Sequence, residues 1–255
     1  MKSFIRWSAT LGLVGGTVLG TSLAGNLTAL ALPEQAIMKV LQPVPVFTIA
    51  DKQGAPLVAS VPNAKDNKKT AAVAGVFISQ QDAQAFINNL KSKNPNLAST
   101  VQVVPVSLGE IYKLNQQNQG KPDQLEFAFV PTRPQVEAAL ALQKQGGKPA
   151  GQFNGVPMFM ARQGAQGGYL TLKRGNEQVI PIFFNKEELQ NLVDRFKQQQ
   201  PKQSSNITID VVNLEGVIDT LKSSNDQQLS QVVLIPPKQS LDYVRALQPA
   251  AKPNK

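Results

Sequence analysis

Histidine and cysteine are both missing from the chain. Their absence removes Ser-His-Asp and Cys-His dyads, thiol nucleophiles and the usual zinc sites. Without cysteine there are no disulfide staples and no lipoprotein attachment site, so stability has to come from packed cores. Acidic residues are few, 17 against 26 Lys and Arg, and they do not cluster. Asp51, Asp66 and Asp123 fall in loops, and nothing around them has calcium-loop spacing. The glycine run Gly164 to Gly168 lies between two strands rather than between a strand and a helix, so it reads as a turn and not a phosphate cradle. The chain is therefore expected to be non-enzymatic, with no cofactor and no metal.

What is present is a segment that occurs twice. Val76-Phe-Ile-Ser79 falls on Ile182-Phe-Phe-Asn185. Each copy is a buried strand that runs directly into a helix. Ser79 and Asn185 stand at the N-cap, where a short side-chain oxygen accepts from orphan amides of the first turn. Asp82 and Glu188 follow three residues later, as in a capping box. The apolar faces then coincide: Ala83, Phe86, Ile87 and Leu90 match Leu189, Leu192, Val193 and Phe196 at helical spacing. At the same offset, Val101, Val103 and Val106 match Ile207, Ile209 and Val212. One residue short of that offset, Phe127–Gln143 aligns with Val232–Gln248. This is a two-fold internal duplication, not a solenoid of three or more units.

The N-terminus reads as a targeting segment. Lys2 and Arg6 are its only charges before Glu34, Leu11 to Leu23 is apolar, and Ala29-Leu-Ala31 supplies small residues for a signal peptidase. Cleavage is expected after Ala31, so residues 1–31 stand outside the fold. The chain has a formal net charge of +9. In a secreted protein that charge suits anionic lipid surfaces or acidic proteins, or plain solubility, and not nucleic acid.

Along the chain, strands and helices alternate in the same order twice. A short helix over Pro33–Gln42 leads to hairpin strands Val44–Ala50 and Ala55–Val61. The repeated strand–helix segment follows, then a strand and capped helix from Thr100 to about Asn118. A strand over Leu125–Val130 and a helix over Pro131–Gln145 close the first half. Residues 146–155 are a glycine-rich linker. The second half, 156–255, repeats the order, starting with hairpin strands Val156–Ala161 and Gly168–Lys173. The expected fold is α+β: two pseudo-two-fold-related lobes, 32–145 and 156–255, each a mainly antiparallel sheet with helices on one face. The helix over Pro131–Gln145 is a candidate bridge serving both halves.

The candidate site is apolar. Phe153, Met158, Phe159 and Met160 make a Met- and Phe-rich entry to the second lobe. Methionine adapts its shape and recurs on promiscuous binding surfaces. Met158 and Met160 point the same way, and core filling is the alternative reading for them. With helices on one face only, Phe159 would point to the open face, and Phe47 is its match in the first lobe. An exposed apolar sheet face is a groove for client segments. Lys65, Lys68 and Lys69 form a small basic surface loop.

Val44-Pro-Val-Phe47, Gly75-Val-Phe-Ile-Ser79, Val103-Val-Pro-Val-Ser-Leu108, Phe129-Val-Pro131, Gly155-Val-Pro-Met-Phe159 and Pro181-Ile-Phe-Phe184 together resemble the twenty-two-kilodalton component of the chloroplast inner-envelope translocon (Tic) and its cyanobacterial relatives. A bacterial-type signal segment fits a cyanobacterial member, since a plastid transit peptide is Ser- and Arg-rich. The resemblance implies a chaperone-like factor between two membranes, in the periplasm, with the thylakoid lumen as the other compartment. It implies roles in protein translocation and outer-membrane biogenesis. The implied partners are unfolded or translocating outer-membrane proteins and the barrel-assembly protein that carries POTRA domains. Docking on that machinery as a scaffold, or carrying a small apolar ligand or lipid, are the alternatives. The matching motifs are structural, and the family's pattern places no catalytic residue on this chain.

Overall fold

The computed structural model describes residues 11–12, 32–62, 70–121, 125–147, 151–164, 167–201, 206–224 and 226–248. The expected signal segment lies outside them except for a two-residue strand, β1 (Leu11–Gly12), paired antiparallel with Leu172 and Thr171. The basic loop of Lys65, Lys68 and Lys69 also lies outside them.

After α1 (Glu34–Leu41), the first repeat builds β2 (Pro45–Asp51), β3 (Val58–Pro62) and β4 (Thr70–Phe77). It continues with α2 (Gln80–Lys93), α3 (Pro95–Ala98), β5 (Val101–Ser107), α4 (Leu108–Asn118) and β6 (Leu125–Val130). Then come α5 (Arg133–Gln145) and the second repeat: β7 (Pro157–Gln163), β8 (Thr171–Arg174), β9 (Glu177–Phe183), α6 (Lys186–Gln199), β10 (Ile207–Asn213) and α7 (Leu214–Ser223). A 3-10 turn (Gln227–Gln231), β11 (Val232–Ile235) and α8 (Lys238–Leu247) complete it. The α+β expectation with two similar lobes of mainly antiparallel sheet stands. In each sheet only the last strand of the repeat enters parallel, β6 beside β4 and β11 beside β9.

The capping chemistry sits where the repeat places it. Ser79 and Asn185 accept from the amides of Asp82 and Glu188 at 3.4 Å and 3.0 Å. Ser107 and Glu110 close a reciprocal capping box at the start of α4. Each such cap contributes about 1 kcal/mol and fixes where a strand ends and its helix begins. Asp82 is partly buried in the first turn of α2, and the lost hydration pushes its carboxyl above the ordinary range. Asp242 on α8 is held below that range by the Lys238 side chain hydrogen-bonded to it.

The pairing inside each repeat differs from the simple hairpins expected. β2 meets the returning chain only at Ala50 and Pro56, and β3 then pairs along β4 from Val58–Ala74 to Pro62–Thr70. Likewise β7 meets it at Arg162 and Tyr169, while β8 pairs β9 across the Gly175 turn. A strand has two edges, and β2 and β7 give one edge along their whole length to β5 and β10. The returning strand then finds its longer partner one position further on.

The chain divides into two compact units. One comprises residues 41–136 with 236–255, the other 1–40 with 137–235. Packing units and repeats are therefore different divisions. The helix after β6 contributes Ala138, Ala139 and Leu142 to the core that holds Phe159. The helix after β11 contributes Tyr243 and Val244 to the core that holds Phe47. Each repeat thus hands its last helix to the core built on the other repeat's sheet. Tyr243 meets Phe47 edge-on with ring centroids 5.6 Å apart. Ser240, 3 % exposed, donates its hydroxyl to the Ile78 carbonyl at 3.1 Å.

Ending the chain after Pro236 removes α8 and uncovers Phe47. Amide hydrogen exchange is expected to show loss of protection across β2 and α2, with β7 and α6 retaining theirs. Uniform loss in both units would contradict the assignment of α8 to one core.

Candidate functional site

The alternation of side chains along β7 sorts the candidate residues onto two faces. Phe159 and Ala161 face the helix-covered side. There Phe159, with no exposed surface, packs in a cluster with Phe183, Leu189, Leu192, Phe196 and Ala139. Phe47 is equally buried in the other unit, among Ile49, Phe77, Ala83 and Ile87. The expectation that these two phenylalanines line an open groove is therefore corrected: both are core. The sheet face under α6 and the C-terminal part of α5 needs large side chains to fill the layer, and Phe supplies that volume. Met158 lies on the opposite face but is also fully buried, across the ladder from Val212 and beside the start of α7.

That opposite face is only partly covered, and the uncovered part is a cavity of about 690 Å³. Its floor is the even-numbered side of the sheet: Met160, Ile180, Ile182, Val212 and Val232. α7 adds Val217 over the buried Leu221, the 3-10 turn adds Leu229, and Phe153 lines the wall formed by the preceding loop. Tyr169, 40 % exposed, stands at the mouth. Of the five apolar candidates, the structure brings Phe153 and Met160 into this cavity, leaves Met158 and Phe159 in the packing around it, and places Phe47 in the other unit.

The loop wall is pinned by two residues at the start of α7. Asn213 caps Gly216 at 2.8 Å and donates to the Asn154 carbonyl at 3.3 Å. Glu215 accepts from the Val156 amide at 3.2 Å, and the Leu214 amide donates to the Val156 carbonyl at 2.8 Å. Gly155 sits inside this clamp with φ +82°, and a Cβ there would run into the Glu215 carboxylate. On the same sheet face, Arg162 and Asp210 form a 2.8 Å ion pair. Both are partly exposed, so its worth is at most about 1 kcal/mol.

Polar groups ring the apolar floor. Among the described residues, the carboxamides of Gln143, Gln152, Asn154 and Gln228 have no side-chain hydrogen bond within the chain, and all four border the cavity. Among the described residues, Asp226 is the only charged one in the lining. The lining thus offers van der Waals contact and amide hydrogen bonds.

Sequence reasoning missed most of the floor. The available signal was the run Val179–Phe184, apolar at every position but Pro181. An unbroken run says that both faces of β9 carry apolar contacts, and Ile180 and Ile182 are its second face.

The model of the Tic22-like family matches residues 9–245. The chain belongs to the Tic22-like family. It is 25 % identical to the Arabidopsis thaliana Protein TIC 22, chloroplastic, over 91 % of this chain and 77 % of that protein. It is 24 % identical to the Pisum sativum protein of the same name, over 91 % and 84 %. Among solved structures, Anabaena Tic22, described under protein transport, superposes with a TM-score of 0.76 at 36 % identity, covering 86 % of this chain and all of that one. Tic22 from Plasmodium falciparum shares the fold, with a TM-score of 0.64 at 18 % identity over 83 % and 96 % of the two chains. The two-sheet build is thus that of Tic22.

Two substitutions test the placement of residues in this Tic22-like unit. Phe159→Ala is expected to cost about 3–5 kcal/mol in chemical denaturation, because it empties a fully buried aromatic site; a cost below about 1 kcal/mol would return Phe159 to the surface. Gly155→Ala is expected to cost about 1–3 kcal/mol, from positive-φ strain and the displaced Glu215 carboxylate. A neutral result in the same denaturation measurement would mean the loop wall is not pinned there.

Proposed function

We propose that this Tic22-like chain is a non-enzymatic, chaperone-like factor in protein transport between two membranes. Its action is to hold apolar segments of unfolded clients in the open cavity bounded by β7, β9, β10 and α7. The observation that carries the reading is the pairing of an apolar floor with a solvent-facing mouth. Half-buried Met160, Val212 and Val217 leave part of that floor accessible to a ligand. A carrier of a small apolar ligand or lipid needs an enclosed cavity instead, and the exposed Tyr169 at the mouth argues against it. The description of Anabaena Tic22 under protein transport points the same way.

The compartment proposed is the periplasm, with the thylakoid lumen as the alternative; it rests on the targeting pattern in residues 1–31. The clients proposed are unfolded or translocating outer-membrane proteins. The docking partner proposed is the POTRA-bearing barrel-assembly protein, and the charge of +9 supports transient contact with anionic membrane surfaces. With no histidine or cysteine to activate water or attack a carbonyl, holding is the action proposed and not turnover.

A barrel protein diluted from urea is followed by light scattering with and without stoichiometric protein. The protein is expected to suppress scattering. Val217→Asp, which puts a charge on the half-buried α7 wall, is expected to remove most of that suppression while far-ultraviolet dichroism stays unchanged. No suppression by the unaltered protein would remove the holding function and favour the docking scaffold.

A further inference from the structure

The cavity is bordered by an open sheet edge. β10 pairs with β7 on one side, and among the described residues no strand pairs on its other side. The direction of its free main-chain groups follows from the ladder. The Leu214 amide donates to Val156 and the Gly164 amide donates to Asn206. With the register of Ile207 on Gln163 through Asn213 on Pro157, residues 206, 208, 210, 212 and 214 are the ones bonded to β7. Antiparallel pairing alternates bonded and non-bonded positions. The N–H and C=O groups of Ile207, Ile209 and Val211 therefore point outward. Val211 and its neighbour Val212 both line the cavity.

An exposed edge next to an apolar floor is a template for another strand, and proteins usually blunt such edges with charge or proline. Between Ile207 and Asn213 the only charged residue is Asp210, which is paired with Arg162 across to β7. The edge is thus open in the chemical sense as well. Unused carboxamides at Gln143, Gln152, Asn154 and Gln228 face the same space. Carboxamides both donate and accept, so they suit peptide groups whatever the side-chain sequence.

We infer that the cavity takes an extended polypeptide segment added as a strand to the outer edge of β10, with apolar side chains on the floor and neutral or basic residues flanking them. Main-chain hydrogen bonds give such a site breadth, and alternate side chains give it preference for apolar sequence. The flank preference follows from Asp226, the only charged residue among the described residues of the lining. It opposes the bulk charge: a protein of net charge +9 attracts acidic peptides at long range. An anionic lipid acyl chain meets neither requirement, having no peptide groups and the wrong charge.

This mode rests on the client-holding reading, and the test separates the two. Fluorescently labelled apolar peptides of one sequence are titrated by anisotropy at physiological ionic strength, flanked by Lys or by Glu, or N-methylated at alternate amides. The Lys-flanked peptide is expected to bind at least threefold tighter than the Glu-flanked one, and Asp226→Asn, which keeps the oxygen that caps Gln228, to abolish the difference. N-methylation is expected to weaken binding about tenfold. Val211→Pro removes an N–H that faces away from β7, and is expected to weaken the unmodified peptide similarly while leaving dichroism unchanged. If no peptide binds, client holding itself falls. Tight binding that ignores N-methylation, favours Glu flanks, or is displaced by anionic lipid vesicles overturns strand addition alone.

Discussion

The unit that holds the cavity depends on a shortage of helix. A twisted sheet has two faces, and in β9 both are apolar. α6 lays four buried side chains, Leu189, Leu192, Val193 and Phe196, on one face, and α5 adds Ala139. Among the described residues, the other face receives the 3-10 turn and α7, whose own fully buried anchors are Leu214 and Leu221. Ten residues of helix, about 15 Å long, do not span a sheet of this width. What α7 leaves uncovered is the cavity, so the site is a consequence of coverage rather than of any special residue.

The same constraint explains why the last helix of each repeat leaves its own sheet. α5 fills the layer over Phe159 beside α6, and α8 fills the layer over Phe47 beside α2. Each core is closed by a segment distant in sequence: Ser240 bonds to Ile78 across 162 residues. Long-range closure of this kind costs loop entropy only logarithmically, but it ties the completion of one core to chain emerging after the other. The sheet built on the first repeat cannot finish its packing until the C-terminal helix is available.

Function in such a build does not need a constellation of reactive groups. Among the described residues, an apolar floor, free carboxamides and an unpaired strand edge are all weak and general recognition elements. Together they suit a ligand defined by being unfolded, because an unfolded chain always has extended backbone and exposed apolar side chains. Membership of the Tic22-like family is consistent with the holding action proposed above.

Repetition made much of this legible in the sequence. The matched strands, the caps at Ser79 and Asn185 and the apolar stripes of α2 and α6 are local patterns, written in periods of two and 3.6 residues. They determined the element order and the α+β class with two similar lobes. Local pattern also picked out the strand Met158–Met160 as a place of interest. It could not decide which side of that strand was sealed. Phe159 and Met160 are both apolar, and alternation says only that they point opposite ways. Which face is buried depends on where α5, α6 and α7 land, and that is set by packing between segments far apart in the chain. The reach of α8 into the Phe47 core, the shift of β3 and β8 to the next strand and the β10 edge that no described strand pairs likewise depend on segments far apart in sequence, and only the tertiary structure decided them.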